Sequence, residues 1–289
     1  MGCGIAAGLA AGGWCVVLLV REASRCGESR DRTLALLGSL DKADRADAIT
    51  VQDIDGFGDW AGLSLVIETV KEDLALKQRL FAWLDSKVPA GVPIGSNSSS
   101  FGISRIAQGL ATRSRMFGMH YFMPAHQVPL VEVVLGADSD PALAESVCGL
   151  FRSIGKKPVI VKRDIPGFIA NRIQHALMRE MLSLIDAGIA SPEDIDQVVR
   201  YSFGFRYAAI GPILQKEISG WDTTASAARE IYPHLSNTAE VPACLARLVA
   251  EGKTGMKSGQ GFIAWTPESA RAVRAGYEER LAAVLRLLE

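Results

Sequence analysis

Gly2-Cys3-Gly4-Ile5-Ala6-Ala7-Gly8 opens a small-residue helical stretch that leads straight into Val16-Val17-Leu18-Leu19-Val20. A glycine-rich helix start followed by an apolar strand is the second half of a βαβ unit. There a pyrophosphate can rest on the free N–H groups of the helix. Close helix–sheet packing also asks for Gly and Ala, so this segment alone supports either reading. Outward from it, short apolar runs at 48–51, 65–67, 92–95, 116–119, 130–134 and 158–161 alternate with helical periodicity, clearest at 72–84 and 141–154. Strands rich in Val, Ile and Leu alternating with helices predict an α/β fold built on a largely parallel, doubly wound sheet.

The pattern changes at Lys162-Arg163-Asp164-Ile165-Pro166-Gly167, a charged joint with Pro and Gly. Beyond it, apolar residues recur at helical spacing through 168–187. Ser191 followed by Pro192 predicts a capped helix start. Strand signals are scarce thereafter. The expected organisation is a dinucleotide-binding domain over 1–162 and an all-helical domain over 163–289.

Composition narrows the function. At 289 residues, 48% hydrophobic, 22% charged and with net charge −1, the chain reads as a globular protein rather than a disordered one. With no long Lys/Arg run, no nucleic-acid partner is expected, although a small anionic ligand is compatible. No apolar run reaches membrane-span length. Residues 1–20 lack a basic leader region, and 14–20 reads as a buried strand rather than a signal segment. The five cysteines lie far apart without a CxxC pair, which fits buried thiols in a reducing cytoplasm and no metal site.

The chemistry concentrates in two strands. Gly118-Met119-His120-Tyr121-Phe122-Met123-Pro124 puts a histidine at the carboxyl end of a strand, where open α/β sheets bind ligands. Twelve positions on, Glu132 stands alone inside the apolar Pro129-Leu130-Val131-Glu132-Val133-Val134. A carboxylate so placed is costly unless paired, and an imidazole is a natural partner. Together they would form a general base and its orienter. Read singly, His120 is equally a satisfied core histidine and Glu132 a salt-bridge partner.

These stretches, with Gly95-Ser96-Asn97-Ser98-Ser99-Ser100 and Pro166-Gly167-Phe168-Ile169-Ala170-Asn171-Arg172, resemble in order and spacing the L-3-hydroxyacyl-CoA dehydrogenase family. The start at Met1-Gly2-Cys3-Gly4 looks like the end of that family's cofactor turn. The segment Lys253-Thr254-Gly255-Met256-Lys257-Ser258-Gly259-Gln260-Gly261-Phe262 looks like its carboxyl-terminal glycine motif. The resemblance implies a Rossmann-type domain with its first strand missing, a helical domain that dimerises, and a cofactor that is NAD or NADP. It implies His120 as base and Glu132 as its partner, with Ser99 and Asn171 on the substrate oxygen. Gly2, Gly4, Val20, Arg21, Glu72, Lys77 and Asn97 would contact the cofactor. Ser99 and Asn97 as loop residues, Asn171 as a helix-surface amide and Lys77 as a solvated charge are the ordinary alternatives.

Three departures from the family pattern stand out. The first strand and first glycines are absent ahead of Met1, which predicts two exposed strand edges and either weak cofactor binding or low stability. A start codon assigned too far downstream would account for it. Met123 replaces an Asn. Val20-Arg21 stands where NAD enzymes carry an acidic residue, which favours a 2′-phosphate if Arg21 is not merely solvated.

The short segment 22–59, with a single Lys, and Gly204-Phe205-Arg206-Tyr207 look more like the branch containing L-gulonate 3-dehydrogenase and lambda-crystallin. That leans toward a small 3-hydroxy acid over a CoA thioester, with Arg206 clamping a carboxylate or simply capping a helix. A non-catalytic dimeric binding protein of the same fold is the alternative expectation.

Overall fold

The computed structural model describes residues 1–288 and divides into two compact units, Met1–Arg172 and Ile173–Glu289. In the first unit α1 (Gly2–Ala11), β1 (Val16–Val20), α2 (Cys26–Gly38) and β2 (Ile49–Asp53) come first. β3 (Val66–Glu68), α3 (Leu74–Lys87), β4 (Ile94–Ser96), α4 (Ile103–Ile106) and β5 (Met116–Tyr121) follow. β6 (Leu130–Leu135), α5 (Pro141–Ser153) and β7 (Lys157–Val161) complete the sheet region. Side-chain caps start two of these helices. Asp73 accepts from Leu76 N ahead of α3, and Asp140 accepts from Ala142 N ahead of α5, where Pro141 fits the first turn.

A five-stranded sheet runs β3-β4-β5-β6-β7, parallel except for the antiparallel β5–β6 pair. Both faces are covered. Phe117, Met119, Val131 and Val133 meet Ile5 and Leu9 of α1 and the Ala144, Val147, Cys148 and Phe151 stripe of α5. Ile94 and Met116 meet Phe81, Leu84, Ile103 and Ile106 on the other side. The α5 stripe recurs at the three- and four-residue spacing of one helical face. Each such large apolar side chain contributes about 1.5–3 kcal/mol by burial.

β1 and β2 pair only with each other, and β3 is the outer strand of the larger sheet, so among the described residues no ladder joins β1 to β3. The two exposed strand edges expected from the sequence are therefore present. The expectation of a buried strand over 14–20 is corrected. Trp14 and Val16 pack half-buried on the core, while Val17 is exposed, because β1 has a strand neighbour on one side alone.

The first unit runs past the 162–167 joint. Phe168 is buried against Val134 and Val161, and the N–H groups of Ile169 and Ala170 are bonded to Glu132. From there α6 (Ala170–Asp186) continues into the second unit. α7 (Pro192–Val199), α8 (Phe205–Ala209), α9 (Pro212–Ser219), α10 (Trp221–Ile231), α11 (Ala243–Ala250) and α12 (Pro267–Leu288) follow, with no extended strand among the described residues. Ser191 and Asp194 form a reciprocal capping box ahead of α7, with Pro192 in its first turn.

Candidate active site

His120 and Glu132 face each other directly across the β5–β6 ladder. His120 Nδ1 lies 2.8 Å from Glu132 Oε2, and both side chains are buried. Glu132 Oε1 accepts from Ile169 N at 3.0 Å and Ala170 N at 2.9 Å, so one carboxylate holds both the imidazole and the start of α6. Asn171 is the next residue of that helix. Burial by itself would raise the Glu132 pKa. The hydrogen bonds from His120, Ala170 and Ile169 outweigh it and hold the carboxyl below its ordinary value. Phe122 and Phe168 stand edge-on to the imidazole at 4.6 and 5.4 Å between centroids. With Nδ1 committed to the carboxylate, Nε2 is the nitrogen available to move a proton.

A second buried network sits at the carboxyl ends of β3 and β4. Lys77, 1% exposed, donates to Glu68 Oε1 and Oε2 at 2.9 and 3.0 Å and to Val70 O at 3.3 Å, and lies 3.4 Å from Glu72. Ser96 Oγ donates to Glu68 at 2.7 Å, and Ser98 Oγ donates to Glu72, which also accepts from Ser100 N. Burial works to raise the Glu72 pKa, but Ser98, Ser100 and Lys77 together lower it. Asn97 Oδ1 accepts from Tyr121 N at 2.9 Å, which ties the loop after β4 to the strand that carries His120. Ser99 is exposed on that loop.

The structure thus joins His120 to Glu132, Glu72 to Lys77, and Asn97 to the backbone beside His120. Arg206 lies on α8 of the second unit and donates Nε to Ser202 O of the preceding turn. Val20 ends β1 opposite Asp53, and the exposed Arg21 is ion-paired with Glu22 at 2.9 Å. The sequence reading gave Glu68, Ser96 and Ser98 no role. Glu68 carries the same signal as Glu132, a lone carboxylate in an apolar strand, and could have been found by it.

The start of α1 fits a dinucleotide. Met1 provides no side-chain cap, leaving the first N–H groups of the helix without that partner. A Cβ at Gly2 would come within 3.0 Å of Thr69 Oγ1, so glycine permits the close approach there.

A helix opened by glycines beside a largely parallel sheet, with a histidine–carboxylate pair at a strand end, is an arrangement suited to dinucleotide-dependent oxidoreductases. Residues 1–165 match the 3-hydroxyacyl-CoA dehydrogenase NAD binding domain, and residues 167–265 match the C-terminal domain of the same enzymes. The chain belongs to the 3-hydroxyacyl-CoA dehydrogenase family. It is 34% identical to the 5-formyl-3-hydroxy-2-methylpyridine 4-carboxylate 5-dehydrogenase of Mesorhizobium japonicum, over 100% of this chain and 95% of that protein. A solved structure of such a 5-dehydrogenase, described as an NAD+ dependent dismutase, superimposes with TM-score 0.92 at 33% identity, covering 100% of this chain and 95% of that one. Lambda-crystallin of Oryctolagus cuniculus is 40% identical over 53% of this chain and 48% of its own length. NAD is the cofactor named both for the matching domain and for the solved neighbour. That supports NAD over the 2′-phosphorylated cofactor that Val20-Arg21 suggested, and Arg21 has Glu22 as its partner.

Proposed function

We propose that the protein moves a hydride between NAD and the hydroxyl- or carbonyl-bearing carbon of a small carboxylic acid, with His120 as general base. The observation that carries this reading is the buried 2.8 Å His120–Glu132 pair at the end of β5. In the oxidative direction, Nε2 of His120 takes the hydroxyl proton as the hydride leaves the carbon. Glu132 stays ionised and stabilises the imidazolium so formed. Ser99 and Asn171 would donate to the substrate oxygen. In support, the Glu132 bonds to the N–H groups of Ile169 and Ala170 fix the start of the helix that carries Asn171.

NAD, when bound, supplies the hydride acceptor. Gly2 and Gly4 would hold its pyrophosphate, Val20 and Arg21 would flank the adenosine side, and Glu72 and Asn97 would meet the nicotinamide side. All three Lys77 ammonium hydrogens have acceptors in Glu68, Val70 and Glu72, so Lys77 would act through Glu72.

A small acid is favoured over a CoA thioester because a relative 34% identical over the whole chain is named for a pyridine 4-carboxylate. The test is turnover of a panel of hydroxy- and formyl-carboxylates against 3-hydroxybutyryl-CoA and acetoacetyl-CoA, followed by NADH absorbance. A higher kcat/KM for a carboxylate is expected. Turnover of CoA thioesters alone would overturn the substrate assignment, and no turnover of any kind would overturn the oxidoreductase reading. The non-catalytic alternative is not favoured, since a relative matched over the full chain is named as a dehydrogenase.

We further propose a homodimer formed through the second unit, where Tyr201 is 71% and Ile218 75% exposed while few side chains are buried. Apolar side chains so displayed fit coverage by a second copy. Light scattering at micromolar concentration should give twice the chain mass, and a monomer would refute it. A reducing cytoplasm suits the free cysteines, and no helix among the described residues is long and apolar enough to cross a membrane.

A further inference from the structure

Lys156, just ahead of β7, is 7% exposed, and its ammonium has no carboxylate partner among its hydrogen bonds. Nζ donates instead to Ala125 O at 3.1 Å and Val128 O at 3.0 Å, both in the segment that connects His120 to Glu132. It also lies 6.0 Å from the ring centroid of Tyr121, the neighbour of His120. The same segment lies close to α1. A Cβ at Gly4 would meet Ala125 Cβ at 3.4 Å, and one at Gly8 would meet His126 Cα at 3.5 Å and Lys156 Nζ at 3.6 Å. Lys156 therefore sits where α1, the connecting segment and β5 converge. A buried cation satisfied by carbonyls alone is expensive, more so than an apolar residue of that volume. Its placement at this junction points to a task other than packing.

We propose that Lys156 is a positioning residue that clamps the segment between His120 and Glu132 onto α1, and so fixes the spacing between the glycine start of α1 and the His120 base. The inference rests on the function proposed above, because that spacing governs how a hydride donor and a proton acceptor meet one substrate carbon. A displacement of about 1 Å in such a geometry can cost on the order of a hundredfold in rate. The lowered Lys156 pKa, to about 8 through burial, agrees with an ammonium held away from water.

The test is Lys156→Met, close in length but without donors. Two readouts are needed, amide hydrogen exchange across 122–129 and α1, and kcat against the KM values for NAD and substrate. Faster exchange in both segments is expected, with β5 and β6 still protected and kcat down by about tenfold or more. Lys156→Arg, which keeps the donors, should restore part of the loss. Unchanged exchange together with kcat within about twofold of wild type would overturn the inference, whatever the change in melting temperature. If Lys156→Met does not fold, Gly8→Val, whose γ-methyls extend beyond the ordinary contact a Cβ would make with His126 and Lys156 Nζ, takes its place with the same expected and overturning results. A wild type that protects 122–129 yet turns over no substrate would count against the proposed function. Exchange in the variant then decides the Lys156 clamp separately.

Discussion

Replacing Glu132 separates the two jobs of its carboxylate. Glu132→Ala strips the partner from His120 Nδ1 and from the N–H groups of Ile169 and Ala170. The carboxylate is 1% exposed, so little water replaces it at the imidazole. Removing one member of a buried pair costs about 3–5 kcal/mol. The two helix-start N–H groups are less buried and can partly rehydrate, which holds the total within that range. At about 2–4 °C per kcal/mol for a domain of this size, the melting temperature of the first unit should fall by roughly 10 °C.

Glu132→Gln keeps the shape. Its amide oxygen can still accept from Ile169 and Ala170, and its NH2 then faces Nδ1. That arrangement puts the ring proton on Nε2, where the base needs a lone pair, and removes the negative charge beside the imidazolium. Stability should drop by less than about 1.5 kcal/mol, while kcat falls on the order of 10²–10⁴. Thermal denaturation by circular dichroism and initial rates of NADH formation on the same preparations give both numbers. A Gln variant within about tenfold of wild-type kcat would refute the reasoning that this carboxylate sets the tautomer.

Two other outcomes follow from buried charge. Lys77→Met leaves Glu68 and Glu72 facing each other without their shared cation, and should cost about 3–5 kcal/mol in urea denaturation. Adding Glu68→Gln should recover part of that loss, and additive losses would deny the pairing. Lys156 titrates in the folded protein at about 8 against an ordinary 10.5. Between those values the unfolded chain binds the extra proton, so the penalty for burying this charge is full below pH 8 and fades as pH rises toward 10.5. Wild type should therefore gain up to about 3 kcal/mol over that window relative to Lys156→Met. Tyr121 and His126 are the titratable neighbours common to both proteins, and parallel stability curves would contradict the assignment.

The alternation of apolar runs and helical spacing made the sheet, the cross-over helices and the helical second half readable, because buried strands and one-sided helices leave periods of two and 3.6 residues. His120 and Glu132 were readable as lone polar residues in apolar strands. Their direct opposition was not, since it depends on the length and path of the 122–129 connection. For Lys77 the resemblance implied a cofactor contact and the bare sequence allowed a solvated charge; its burial against Glu68 was not legible because that partner lies on another element, nine positions back. The half-exposure of β1 likewise reflects an unpaired strand edge, a property of sheet order rather than of the strand's own residues.

The most direct test of the account is the single-turnover rate of NADH formation by wild type and His120→Ala, each saturated with NAD and the best carboxylate found, across the pH range 5–9. The wild-type rate should rise with pH as the base loses its proton, because only the neutral imidazole can accept one from the substrate. The Ala variant should be slower on the order of 10²–10⁴ and lack that step. A variant with wild-type rate and the same pH profile would contradict proton transfer at this histidine.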